Sequence, residues 1–177
     1  GASIVNDINA LTAPGALSLL ASTDAGVCLM HKQGTPQTMQ QAPAYGDVVS
    51  EVTEYLAARG QAAQDAGIDA SRILLDPGFG FGKTLAHNLA MLQGLERITQ
   101  LGYPVLVGLS RKSMLGAITG RAVDDRLAGS LAAALFAVSR GARIIRAHDV
   151  AATRDAVAVW QAACGHPAVP SPRPGCR

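Results

Sequence analysis

The sequence predicts an α/β fold of repeated βα units, and within that class a TIM (β/α)8 barrel of which about the last five units are present. Three observations carry this. Five short aliphatic or β-branched runs alternate with five stretches of helical periodicity, the pattern of parallel strands joined by helical crossovers. Each run is four or five residues long and is flanked by Gly, Pro or a charged residue. Polar residues stand at or just past the C-terminal end of every run: Asn6, His31, Asp76, Ser110 with Lys112, and Arg146 with His148. In a barrel five such ends meet around one pocket, whereas a doubly wound sheet spreads them along a line.

The predicted strands are Ser3 to Asp7, Gly26 to Met30, Ile73 to Asp76, Val105 to Gly108 and Arg143 to Arg146. Between and after them, Pro14 to Ala21, Asp47 to Ala66, Leu85 to Gln100, Asp124 to Ser139 and Val150 to Ala163 place apolar residues at three-to-four spacing, which predicts amphipathic helices. In Leu85 to Gln100, for example, Leu89, Leu92, Leu95 and Ile98 form one face, with Gln93, Glu96, Arg97 and Gln100 offset from it. Gly102 and Pro104 then end the helix before the next strand. A closed barrel needs eight strands and about 250 residues, so about three units are expected upstream. The first residue is Gly1 rather than Met, and Ser3, Ile4 and Val5 enter an apolar run at once, so the sequence reads as cut. Residues 1–164 are read as a partial barrel. Residues 165–177, with four prolines and no periodicity, are read as a disordered tail.

Composition narrows the function classes. The 177 residues are 49% hydrophobic, 4% aromatic and 16% charged, with a formal net charge of +2. That balance gives no electrostatic footprint for nucleic acid or an anionic membrane. Cys28, Cys164 and Cys176 are odd in number and lack CxxC spacing, which argues against a disulfide framework or zinc site and suits a reducing cytoplasm. No apolar stretch reaches the roughly 18 residues of a membrane span, and no signal peptide is recognisable.

The segment richest in chemistry is Asp76-Pro77-Gly78-Phe79-Gly80-Phe81-Gly82-Lys83-Thr84. It is not a Walker loop, because Pro77 stands where the first Gly is required, nor a dinucleotide fingerprint, because Lys83 stands at a glycine position. What remains is a carboxylate at a strand end followed by alternate glycines that let backbone approach a ligand. Asp76 could accept two hydrogen bonds from a planar amidine-like edge; the competing reading is a turn or helix cap. Phe79 and Phe81 could fill core or wall a ring. Gly108-Leu109-Ser110-Arg111-Lys112-Ser113 offers two cations and two hydroxyls for an anionic or carbonyl-bearing substrate, or else a solvated basic loop. In Arg146-Ala147-His148-Asp149, alternation puts Arg146 and His148 on one side of the chain, which reads as a phosphate clamp, with Asp149 expected to cap the next helix. Asn6 offers a donor and an acceptor in one plane, as a heterocycle's edge requires. The polar stretch from Met30 and His31 through Ala44 reads as a mobile loop.

Taken together, Val5-Asn6-Asp7-Ile8, Met30-His31 with Gly34 through Gln40, Asp76 through Lys83, Ser110 through Ser113, and Arg146 through Asp149 resemble the dihydropteroate synthases in order and spacing, over nearly everything up to Cys164. The resemblance implies an eight-stranded barrel, a homodimer when complete, and condensation of (7,8-dihydropterin-6-yl)methyl diphosphate with p-aminobenzoate to 7,8-dihydropteroate and pyrophosphate, a reaction that sulfonamides compete. It further implies that Asn6 and Asp76 hold the pterin edge, that Ile8 and Met30 line its pocket, and that Lys112 contacts the pterin beside the aminobenzoate. Phe81, Ser110 and the Gly108 backbone match positions near that second substrate, and Arg146 and His148 match those at the diphosphate. Lys112, Arg146 and His148 are the implied catalytic residues. Mg2+ is the implied cofactor, with its protein ligand on a first-strand loop upstream and no metal ligand here. A loop that closes over p-aminobenzoate and a third-strand Asp at the pterin also fall upstream, and Lys32 replaces an apolar residue of many relatives. Departure of pyrophosphate leaves a delocalised cation, so catalysis is expected to be positioning and electrostatics, with no covalent enzyme intermediate. Two other readings are a pterin-dependent methyltransferase, which would share Asn6 and Asp76 but not the cations aimed at a diphosphate, and a non-catalytic folate-pathway paralogue.

Overall fold

The computed structural model describes residues 1–34 and 43–165. Most of the polar stretch read as a mobile loop, and the proline-rich tail beyond Gly165, lie outside the described residues. Five strands, β1 (Ile4–Asp7), β2 (Gly26–Met30), β3 (Ile73–Asp76), β4 (Leu106–Val107) and β5 (Ile144–Ile145), alternate with helices α1 (Ala16–Ala21), α2 (Val48–Asp65), α3 (Leu85–Gln93), α4 (Leu95–Thr99), α5 (Ser113–Thr119), α6 (Leu127–Ser139) and α7 (Val150–Ala163). All pairings are parallel, in the order β1-β2-β3 and β4-β5, with a Leu75–Val105 bridge joining the two groups. This is five consecutive βα units of a TIM barrel. Among the described residues no helix is long and apolar enough to cross a membrane.

Strand register explains where core and site lie. Side chains alternate across a strand, and Val27, Leu29, Ile73, Leu75, Val105 and Val107 form the row facing the helices, each fully buried. The opposite row is set by the pairs Asn6–Cys28, Met30–Asp76 and Leu106–Ile144. It faces the concave side, so Asn6, Met30, Asp76 and, one step beyond β5, Arg146 share that face. Val52, Leu56 and Ala63 of α2, with Met91, Leu95 and Ile98 from α3 and α4, complete the buried cluster behind the sheet.

Three elements differ from the sequence expectation. The helix expected over Leu85 to Gln100 is two helices meeting at Gly94, where a Cβ would stand 2.8 Å from a Val49 methyl of α2. Close approach of α2 selects glycine there. Ser113–Thr119, where the sequence pattern predicts no helix, is helical, and Met114 and Leu115 anchor it in the core. Asp124 lies in a 3-10 turn over Val123–Asp125, and α6 starts only at Leu127. Elsewhere local chemistry acts as expected: Asp47 caps α2 by accepting from the Val49 and Ser50 amides, which satisfies donors a helix start leaves unpaired.

Candidate active site

Asp76, 3% exposed, accepts the Gly78 amide on Oδ1 at 2.7 Å. The carboxylate therefore closes a turn, as the bland reading holds, and makes no other hydrogen bond among the described residues. Burial raises its pKa, against the pull of the Gly78 amide, Arg146, Lys112 and Lys83. Gly78 and Gly82 both adopt positive φ, and a Cβ there would come within 1.9 Å of the His31 carbonyl and 2.5 Å of the Gln33 carbonyl. The loops after β2 and β3 thus meet backbone to backbone, which only glycine permits. Asn88 of α3 completes the turn, accepting from Gly80 and donating to the Lys83 and Thr84 carbonyls.

Two groups to which the sequence reading gave no role are buried in this junction. Lys83, 3% exposed, directs Nζ to the Gly78 and Phe81 carbonyls at 3.1 and 3.3 Å and to His31 Nδ1 at 3.0 Å. Burial drops the Lys83 pKa to about 7, with nearby Asp76 opposing that shift. Burial and the Lys83 ammonium push His31 down to about 3, so the imidazole is neutral and its Nδ1 accepts. The sequence carries both residues at strand or loop ends but gives no signal that they meet.

Beside this loop, Gly108, Ser110, Lys112, Arg146 and His148, with Arg111, Val123 and Ala147, line a cleft of about 460 Å³. A Cβ on Gly108 would stand 2.6 Å from the Arg146 guanidinium, so bare backbone lets that group cross the end of β4. Ser110 Oγ is 3.0 Å from His148 Nδ1 and accepts the His148 amide at 3.2 Å. Lys112 reaches toward the glycine loop, with Nζ 4.5 Å from the Phe81 ring centre, a cation–π contact. Its pKa is lowered by burial and then by Arg146, with Asp76 opposing.

The model for the pterin binding enzyme family matches residues 1–148. The chain belongs to the pterin-binding enzymes. Dihydropteroate synthases of Neisseria meningitidis serogroup B and Haemophilus influenzae are 53% and 50% identical over 92% of the chain, which covers 59% of each. The chain thus spans about three fifths of the length of these curated relatives. Among solved structures, the Stenotrophomonas maltophilia dihydropteroate synthase with active-site-bound imidazole superposes with TM-score 0.90 at 52% identity, over 97% of the chain and 64% of that protein. The Xanthomonas albilineans synthase with 4-aminobenzoic acid gives 0.88 at 51% identity, over 94% and 59%. The same enzyme has also been solved with 7,8-dihydropteroate.

In this member of the family, the cleft collects Gly108, Ser110, Lys112, Arg146 and His148. Asp76 and Met30 are adjacent partners in the sheet, and Phe81 touches Lys112. Asn6 and Ile8 lie farther along, exposed at the end of β1 and in the loop after it. Two expectations need correction. Arg111, counted as a cation for substrate, has its guanidinium forked onto Asp149 at 2.9 and 3.2 Å. Asp149, expected to cap α7, makes no side-chain cap bond because its carboxylate is turned to that arginine. Cys28 is a small core residue: it is buried, and burial raises its thiol to about 12.

Proposed function

We propose that the chain forms the diphosphate and pterin half of a dihydropteroate synthase site, joining (7,8-dihydropterin-6-yl)methyl diphosphate to p-aminobenzoate. The observation that carries this is the convergence of Lys112, Arg146 and His148 on one cleft next to buried Asp76. A carboxylate and three cationic or proton-sharing groups suit a substrate that is a hydrogen-bonding heterocycle at one end and an anion at the other. The complexes of close relatives with 7,8-dihydropteroate and 4-aminobenzoic acid, and with a sulfonamide drug, support the same reading.

Asp76 and Asn6 would take the pterin edge, with Met30 and Ile8 against the ring. Arg146 and His148 would hold the diphosphate, the first as a fixed charged fork. As the methylene C–O bond breaks, its electron pair leaves with pyrophosphate. Arg146 and Lys112 stabilise the growing negative charge, and the Asp76 carboxylate stabilises the cation left on the pterin. The arylamine lone pair then forms the C–N bond and the ammonium sheds a proton. Phe81, Ser110 and the Gly108 backbone would border the aminobenzoate. Mg2+ would accompany the diphosphate; among the described residues no group of three His, Cys, Asp or Glu side chains could hold a metal ion. A homodimer in the cytoplasm belongs to the same proposal; Phe136 and Leu127, exposed on α6, offer apolar surface to a partner, and Cys28 and Cys164 are free thiols.

The test is pyrophosphate release from the dihydropterin diphosphate by the complete gene product, with and without p-aminobenzoate. Release that requires p-aminobenzoate and is competed by a sulfonamide is expected. A folded product that releases none would overturn the proposal.

A further inference from the structure

Arg111 is a non-glycine residue at φ 58°, a left-handed conformation that persists in L-residues only where surrounding structure fixes it. Here each polar group of the residue is fixed. Its amide donates to Ser130 Oγ at 3.0 Å, and its carbonyl accepts from Arg126 Nη1 at 3.0 Å. Its guanidinium lies bidentate on Asp149 and 3.5 Å from exposed Asp124. Arg111 lines the cleft together with Ser110 and Lys112, but its guanidinium is committed to Asp149 in the neighbouring loop. That loop carries Arg146 and His148, so the loops after β4 and β5 are joined twice, by Arg111 to Asp149 and by Ser110 to His148. The join has an electrostatic task. Lys112 and Arg146 are like charges facing one cleft, and Arg146 disfavours the charge on Lys112, a repulsion that a tie between the two loops opposes.

We infer that Arg111 and Asp149 are a positioning pair that holds Lys112 and Arg146 at the spacing a diphosphate requires, rather than ligands of the anion themselves. This rests on the reading of the cleft as the diphosphate site. The fork geometry makes the pair directional as well as attractive, and the hydrogen bond between them raises the Arg111 pKa and lowers that of Asp149, so both stay charged across the working pH range.

The opposing possibility, that Arg111 is an anion ligand kept in check by Asp149, predicts the reverse outcome, which makes the test decisive. The complete chain is titrated calorimetrically with inorganic pyrophosphate, and separately with a pterin lacking the diphosphate. Arg111→Ala and Asp149→Ala should each weaken pyrophosphate binding by roughly tenfold. The double variant should be no weaker than either single, and pterin binding should be retained. Tighter pyrophosphate binding by Asp149→Ala, or losses that add in the double variant, would overturn the inference. If an alanine variant loses pterin binding too, Arg111→Lys and Asp149→Asn, which keep the charge or the hydrogen-bonding shape, replace it under the same criteria. A parent chain that binds pterin but not pyrophosphate refutes instead the assignment of the cleft, and the inference with it.

Discussion

His31 and Lys83 are the clearest case in which one residue's chemistry depends on a distant partner. Neutral His31 accepts from Lys83, and the edge of its ring meets Tyr55. In an unfolded chain His31 would take a proton near pH 6.5, whereas in the fold it does so only at about 3. Between those values the unfolded state binds more protons, so stability is fully present above pH 6.5 and is lost as pH falls toward 3. The slope from this one residue is at most about 1.4 kcal/mol per pH unit. Urea unfolding at pH 7 and pH 4.5 should therefore give a smaller stability difference for His31→Gln than for the parent; an equal difference would refute the neutral pairing. Neither residue stands out in sequence, since a histidine after a strand and a lysine after a glycine run both suggest substrate contact at least as readily as mutual burial.

Among the elements, the junction of α3 and α4 at Gly94 separates helix propensity from packing. Propensity alone favours alanine over glycine by about 1 kcal/mol in a helix interior, and the apolar periodicity runs unbroken through the site. Yet the two Val49 methyls lie 2.8 and 2.9 Å from where a Cβ would be, and Val49 is branched on a packed helix that has little room to yield. Gly94→Ala is therefore expected to destabilise by about 1–3 kcal/mol, measured by denaturant unfolding. Stabilisation would mean that α2 can move aside. The unforeseen helix α5 has a similar origin. Ser113–Thr119 is short and contains a glycine, so it has little intrinsic tendency to fold, but Met114 and Leu115 are drawn into the core between α3 and α6.

For the whole molecule, five parallel strands make an arc with β1 at one outer edge and β5 at the other. Neither outer edge has a partner strand among the described residues, and exposed edges template pairing with other chains. The 177-residue chain by itself should thus gain apparent mass with concentration in light scattering; a constant monomer mass would show that the edges are protected. At this scale the sequence determined a great deal. Aliphatic runs and helical periodicity are properties of neighbouring residues, so all five strands and most helices were legible, as was the gathering of Asp76, Ser110, Lys112, Arg146 and His148 at strand C-terminal ends. The tertiary structure alone decided which charged groups pair with one another. Arg111 and Asp149 are 38 residues apart, and His31 and Lys83 are 52 apart. Such pairs form only because register and helix packing bring loops of different βα units together, and no local pattern records that meeting.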